Sequence, residues 1–194
     1  KFKIKSIEQK ELKQYFPKDG WVEHDAEEIW NDVKYLIRQT IKKNNLKPSQ
    51  IISIGITNQR ETTVLWNKKT GKPIYNAIVW QDRRTANYCH ELQVKKKGKI
   101  IQKITGLVLD PYFSATKINW IINKTSKKNK DQTKDVLFGT IDTWLLWKLT
   151  EGISHFTDIT NASRTMIFDA KKEQWSDELL KLFKINKSLL PQVK

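Results

Sequence analysis

The sequence predicts an α/β fold with a partly parallel sheet, and three observations support this prediction. Short apolar runs rich in β-branched residues, such as residues 51–56, have the length and composition of buried strands. Other stretches, above all residues 26–41, place apolar residues at helical spacing. Strands and helices alternate along 194 residues, of which 38% are hydrophobic, so the chain can form one packed domain, or two at most.

The N-terminal part is predicted to contain a strand and a long helix. Residues 2–8 alternate apolar and polar side chains, as a strand does. Asp25 is expected to cap the helix, with Glu28 at capping-box spacing. Asn44 and Pro48 predict its end. The apolar face of this helix is formed by Ala26, Ile29, Trp30, Val33, Ile37 and Ile41.

The middle and C-terminal parts continue the alternation. After the buried strand predicted at 51–56, a strand at 63–66 leads into a turn that contains Gly71. The polar segment 126–134 is expected to be a solvated surface helix or loop. Further strands are predicted at 77–80 and 136–139, and further helices at 84–94, 97–104, 114–124, 141–149 and 175–183.

Charge and composition exclude several classes of function. The formal net charge is +15, but only 5 of the 36 basic residues are Arg, whereas grooves that bind nucleic acid specifically favour the Arg fork. We therefore predict no specific nucleic-acid partner. No apolar run approaches the ~18 residues of a membrane span. Because Cys89 is the single cysteine, we predict a reduced, cytoplasmic protein. The arginines expected to mark places that need a planar guanidinium are Arg60, Arg83, Arg84 and Arg164.

Polar groups follow two of the predicted strands, where ligands bind in α/β sheets. Arg60 and Glu61 after the first could offer donors and an acceptor to a small polyol, although spacing alone favours an ordinary surface ion pair. Residues 81–84 follow the second strand. Tyr112 lies in a turn, and spacing alone favours a core position for it. No metal site is predicted, because the histidines lack ligand spacing: His24, His90 and His155.

Several blocks of the chain resemble, in order, the FGGY family of carbohydrate kinases. Two of them, GWVEHD at 20–25 and NQRETT at 58–63, resemble the members that phosphorylate glycerol rather than those that act on pentuloses or hexuloses. The matching blocks span residues 20–25, 55–63, 71–81, 83–85, 105–107, 110–114, 138–140, 142–145 and 160–165.

The resemblance implies a ribonuclease H-like, actin-like ATPase fold with a mixed sheet flanked by helices. Residues 1–194 would be the N-terminal, glycerol-binding domain, incomplete at its N-terminus and lacking its first strand or strands. The C-terminal nucleotide-binding domain would be absent. Activity would be the ATP-dependent phosphorylation of glycerol to sn-glycerol 3-phosphate, with ATP and Mg²⁺ in the full-length enzyme. The resemblance leaves open whether the full-length protein forms a homo-oligomer.

The resemblance also implies roles for four residues. Arg60 and Glu61 match the pair that hydrogen-bonds glycerol hydroxyls. Tyr112 matches the tyrosine that contacts another hydroxyl, and Trp80 matches the indole that packs on the glycerol carbons. The catalytic base is expected beyond residue 194 and the phosphate loop before residue 1, so the chain alone is expected to be inactive. Three alternatives stay open: a non-catalytic polyol-binding or interaction module, another FGGY sugar kinase, and a basic nucleic-acid binder using residues 93–134.

Overall fold

The computed structural model describes residues 3–128 and 135–194, in which helices and strands alternate as an α/β fold requires. The helices are α1 (Ala26–Lys43), α2 (Ala86–Val94), α3 (Gly98–Thr105), α4 (Ser114–Lys128), α5 (Ile141–Leu149), α6 (Ile159–Ala162) and α7 (Asp177–Phe183). The strands are β1 (Glu23–His24), β2 (Val64–Asn67), β3 (Ala77–Ile78), β4 (Val136–Gly139), β5 (Phe156–Thr157), β6 (Phe168–Asp169), β7 (Gln174–Trp175) and β8 (Gln192–Val193).

Most of the strand pairing is antiparallel. β1 pairs with β3, Thr63 bridges to Ile78, and β2 pairs with β4 in the register Val64 to Gly139. β6 pairs with β7, also antiparallel. Within the described residues only β5 and β8 run parallel, so the predicted parallel component is confined to that pair.

Helix α1 begins and ends where the sequence predicts. The Asp25 carboxylate accepts hydrogen bonds from the amides of Glu27 (2.8 Å) and Glu28 (3.3 Å), which satisfies two of the donors that a helix start leaves open. The Glu28 carboxylate accepts from the Tyr15 hydroxyl at 3.2 Å. Asn44 caps the C-terminal end. The long amphipathic helix is therefore confirmed.

Two apolar clusters form the core. The first joins α1, β2 and α5, and Trp66 lies at its centre with its ring 5.2 Å from that of Trp144. The second lies among α3, α4 and α7 and includes Ile101, Ile118 and Phe183. Glu61 is buried and lies three positions before the start of β2.

Two predicted strands are wrong. Residues 3–8 form no strand, and residue 2 lies outside the described residues. Glu8 instead forms an ion pair with α1, with its Oε2 2.7 Å from Lys43 Nζ. Residues 51–56 also form no strand, and Ile52 is 100% exposed. A strand needs a neighbour for its amides and carbonyls, and neither segment has one among the described residues. β-Branched composition alone cannot supply that partner.

The other predicted elements are confirmed, with small shifts of their ends. The C-terminal helix begins at Asp177, because Trp175 belongs to β7. The turn with Gly71 follows β2 as predicted. The Asn67 side-chain oxygen accepts hydrogen bonds from the amides of Lys69 and Thr70 in this turn. The predicted surface segment extends beyond α4 into residues 129–134, which lie outside the described residues.

In the part of the chain that the structure describes, no helix is both long and apolar enough to cross a bilayer.

Candidate functional site

Three of the four predicted substrate residues lie together, joined by Arg164. The Arg164 Nε donates to Glu61 Oε1 at 2.5 Å, and its guanidinium carbon lies 5.6 Å from the centre of the Tyr112 ring. The Tyr112 and Trp80 ring centres are 5.4 Å apart. We call these four residues, Glu61, Trp80, Tyr112 and Arg164, the Glu61 cluster.

Arg60 is the predicted residue that the structure does not join to this cluster by a side-chain contact. It is exposed, and it forms no hydrogen bond or ion pair with any described residue. It adjoins Glu61 in a turn that precedes β2 rather than following a strand, because residues 51–56 are not a strand. The expectation of a site at the end of that strand is therefore wrong, although Arg60 and Glu61 still share one turn.

The backbone of Glu61 has an uncommon conformation. Its φ is +65°, in the left-handed region that non-glycine residues seldom adopt. Its carbonyl accepts hydrogen bonds from Thr63 Oγ1 at 3.1 Å and Ser114 Oγ at 3.2 Å. These bonds hold the strained turn, and such strain recurs at functional sites.

The two residues before Arg60 tie the turn to the rest of the fold. Asn58 Nδ2 donates to Asp142 Oδ1 at 3.1 Å, and Gln59 Nε2 lies 3.0 Å from His24 Nδ1. Burial lowers the pKa of His24, so its ring is neutral and Nδ1 can accept from the amide. Burial raises the pKa of Asp142, although hydrogen bonds from Thr140 and other donors act to lower it. The turn is thereby connected to β1 and to the start of α5.

Tyr112 lies in a second turn that precedes α4. The Asp110 carboxylate accepts from the Tyr112 amide at 2.8 Å and from Arg83 Nη1 at 3.0 Å. Ser114, the first residue of α4, contacts the Glu61 carbonyl. The two turns of the site are therefore fixed to each other through the start of one helix.

Lys117 is a buried residue of the site to which the sequence analysis assigns no role. Its side chain is fully buried in α4, and its Nζ donates to the Tyr112 carbonyl at 2.5 Å. Burial lowers the pKa of Lys117 to about 7, although the Asp82 and Glu61 carboxylates favour its charged form. A signal for it exists in the sequence, because Phe113, Lys117 and Ile121 repeat at helical spacing on one buried face.

The turn after Trp80 is held by Arg84. Its fully buried guanidinium donates to both oxygens of Asp82, at 2.9 and 2.8 Å, and pairs with Glu23 at 2.7 Å. It also lies 3.8 Å from the centre of the Trp21 ring. Burial opposes the charge, but the hydrogen bonds that Arg84 donates to Asp82 and Glu23 raise the pKa of Arg84 above its usual value. Asp82, which had no predicted role, is thus the buried ion-pair partner of Arg84.

The chemistry of the cluster suits a small polyhydroxylated molecule. One oxygen of the Glu61 carboxylate binds Arg164, and Oε2 accepts no hydrogen bond from the described residues. The Arg60 guanidinium and the Tyr112 hydroxyl can donate, and the Trp80 ring offers an apolar face. Among residues 3–128 and 135–194, no three His, Cys, Asp or Glu side chains converge as a metal ligand set. The described residues therefore offer no set of three protein ligands that would hold a metal without a substrate.

Comparison with known families and sequences gives consistent matches. The N-terminal domain of the FGGY family of carbohydrate kinases matches residues 1–194. A glycerol kinase of Staphylococcus haemolyticus is 53% identical over 192 residues, which cover 98% of this chain and 38% of the relative. A glycerol kinase of Lactococcus lactis is 53% identical over 187 residues, 96% of this chain and 38% of the relative. The chain thus spans about two fifths of the length of these relatives.

Solved structures share the fold. The Plasmodium falciparum glycerol kinase with ADP superposes with a TM-score of 0.86 at 42% identity, covering 94% of this chain and 37% of that one. A gluconate kinase of Lactobacillus acidophilus superposes with a TM-score of 0.83 at 24% identity, covering 95% of this chain and 36% of that one. At that identity the second likeness concerns the fold alone, which is the expected fold of FGGY sugar kinases.

Proposed function

Because the chain belongs to the FGGY family of carbohydrate kinases, we propose that it is the glycerol-binding part of an enzyme that phosphorylates glycerol with ATP. The product would be sn-glycerol 3-phosphate. The observation that carries this proposal is the Glu61 cluster, which brings together residues 61, 80, 112 and 164 in a chain 53% identical to glycerol kinases. The cytoplasmic location predicted from the sequence stays a prediction.

We propose separate roles for the four predicted substrate residues. Glu61 Oε2 accepts from one glycerol hydroxyl, while the exposed Arg60 guanidinium donates to the same or the next oxygen. The Tyr112 hydroxyl binds a further oxygen. Trp80, half-buried against Tyr112, packs on the glycerol carbons. Together these contacts would orient one terminal hydroxyl for reaction.

This chain would contribute binding and orientation to the reaction. ATP, accompanied by Mg²⁺ in the full-length enzyme, supplies the phosphoryl group when bound, and the reaction depends on positioning and charge stabilisation. The roles that we assign to residues of this chain all concern glycerol, and they include neither a base nor a nucleotide contact. We therefore expect no phosphorylation by the chain alone, and a glycerol affinity no better than about 1 mM, which is ~−4 kcal/mol.

A hybrid enzyme tests the assignment of Glu61. In it, this chain replaces the matching segment of the Staphylococcus haemolyticus glycerol kinase, and glycerol-dependent ADP release is measured. We expect Glu61→Gln to lower kcat/KM for glycerol about 10- to 100-fold, the loss of a hydrogen bond to a charged group. The KM for ATP should stay unchanged, because Glu61 is assigned to glycerol alone.

Glu91→Gln is the matched control, since Glu91 is exposed on α2 and its side chain makes no hydrogen bond with the described residues. It should change kcat/KM by less than about twofold. Equal activity of the Glu61 and Glu91 variants would contradict the role of Glu61 in binding.

Two alternatives predict different results in the same hybrid. Another FGGY sugar kinase would prefer a pentulose or gluconate to glycerol, and the shared fold with a gluconate kinase is the observation that keeps this alternative open. A non-catalytic polyol-binding module would bind glycerol without supporting ADP release. We favour glycerol phosphorylation because the relatives that match nearly the whole chain at about half identity are glycerol kinases.

A further inference from the structure

Lys117 occupies an uncommon position beneath the Glu61 cluster. It lies in the first turn of α4, its side chain is 0% exposed, and its Nζ donates to the Tyr112 carbonyl at 2.5 Å. Among the described residues no carboxylate forms an ion pair with it. Burying a Lys without a close counter-charge is unfavourable, so a buried Lys usually has a specific hydrogen-bond partner.

The groups that surround the ammonium are acidic or neutral. Burial disfavours the charged form of Lys117, whereas Asp82, Glu61 and Asp110 favour it at longer range. Burial also raises the pKa of Cys89 to about 12, so its thiol is protonated and contributes no charge. The hydrogen bond to the Tyr112 carbonyl is thus the short-range contact that Lys117 makes in either protonation state.

The Tyr112 main chain is held from two sides. On the outer side its amide donates to Asp110 Oδ1 at 2.8 Å, and Asp110 in turn pairs with the half-exposed Arg83. On the inner side its carbonyl accepts from Lys117. The position of this main chain fixes where the ring meets Trp80. Without the inner contact, the carbonyl would be left without its buried donor.

We propose that Lys117 is a positioning residue for the candidate site, which holds the Tyr112 backbone so that the Tyr112 ring stays against Trp80 and beside Arg164. The proposal deepens the proposed function and rests on it for the identity of the substrate. The placement of Tyr112 by Lys117 does not depend on the proposed function. Lys117 touches no substrate in this account and acts only through Tyr112.

Kinetics in the hybrid enzyme test the effect on substrate. We expect Lys117→Met to raise the KM for glycerol about tenfold and to leave the KM for ATP unchanged, because one buried hydrogen bond is lost. In a Tyr112→Phe background the same substitution should raise KM less than about twofold, because the hydroxyl that Lys117 positions is gone. Lys127→Met, on the exposed side of α4, is the control and should change neither constant.

A purely structural role would give a different pattern. An equal rise in KM in both backgrounds, or a lower melting temperature with unchanged KM, would overturn the proposal.

Nuclear Overhauser contacts in the 194-residue chain separate this proposal from the proposed function. We expect the contact between the Tyr112 and Trp80 rings to be lost in Lys117→Met, while the contact between Phe168 and Trp175 persists as a control of folding. Persistence of the Tyr112 contact overturns the positioning role, whatever the hybrid does.

An inactive hybrid with all native residues would overturn the proposed function. The role of Lys117 would then be tested by the contact between the Tyr112 and Trp80 rings alone. If Lys117→Met loses the Phe168 contact as well, Lys117→Gln provides the decision, because its amide is polar but too short to reach the carbonyl. Loss of the Tyr112 contact alone in that variant supports the proposal, and retention overturns it.

Discussion

At the scale of residues, two arginines of this lysine-rich chain, Arg84 and Arg164, make contacts that lysine could not reproduce. Arg84 binds both oxygens of Asp82 and also reaches Glu23, all at 0–3% side-chain exposure. Arg164 places its Nε on Glu61 while its plane lies near Tyr112. A lysine carries the same charge but lacks the fork and the flat face. The sequence prediction that rare arginines mark such places therefore holds for these two.

Arg84→Lys should destabilise the protein despite keeping the charge. The shorter, non-planar ammonium cannot reach both Asp82 and Glu23 as the guanidinium does, so one of these two buried carboxylates loses its charged partner. We expect the free energy of unfolding to fall by about 2 kcal/mol or more, measured by urea denaturation. Arg38→Lys is the matched control, because Arg38 is exposed on α1, and it should change the free energy by less than about 0.5 kcal/mol. Equal effects of the two substitutions would contradict this account of Arg84.

Residue types predict part of the site and miss another part. Arg60, Glu61, Trp80 and Tyr112 are polar or aromatic residues in matching blocks, so a family resemblance can assign them. By residue type alone, Lys117 resembles any other lysine in a chain with 36 basic residues, and only its helical spacing from Phe113 and Ile121 indicates a buried position. What distinguishes it is burial, and burial is decided by the packing of α4 rather than by composition.

At the scale of elements, the start of α1 combines several local signals that agree. Asp25 accepts from two amides, Glu27 and Glu28 supply negative charge to the first turn, and Lys42 and Lys43 supply positive charge to the last. The apolar face then packs Ile29 into the first core cluster. This agreement explains why both ends of the helix are predictable from sequence.

Asp25→Ala should weaken the helix start. Two backbone donors lose their acceptor, so we expect the free energy of unfolding to fall by about 1 kcal/mol, measured by urea denaturation. Asp19→Ala is the control, because Asp19 is exposed and caps no helix among the described elements. If the Asp25 and Asp19 variants unfold at the same urea concentration, the cap contributes nothing and this account is wrong.

Strands are less predictable than this helix for a physical reason. A helix satisfies its own backbone within one segment, whereas a strand depends on a partner elsewhere in the chain. Val64–Asn67 finds Val136–Gly139 and becomes β2. The equally apolar residues 51–56 find no such partner among the described residues and leave Ile52 and Ile54 exposed.

At the scale of the whole molecule, the candidate site is assembled from segments that are distant in sequence. Glu61 and Arg164 are 103 positions apart, the Ser114 hydroxyl reaches back 53 positions to the Glu61 carbonyl, and Asp82 reaches back 60 positions to the Val22 amide. The two turns and α4 therefore keep their relative positions only when the chain is folded. Local sequence patterns can identify the residues of such a site, but they cannot establish which of them meet.

We propose that this chain supplies the glycerol site of a kinase, and that parts of the enzyme outside the matched segment are needed for phosphoryl transfer. The most direct test is glycerol-dependent ADP release, measured side by side for the 194-residue chain and for the hybrid with the Staphylococcus haemolyticus enzyme. We predict release by the hybrid, with glycerol preferred to xylulose and gluconate, and none by the chain alone. ADP release by the chain alone, or a hybrid that prefers a sugar to glycerol, would contradict the account.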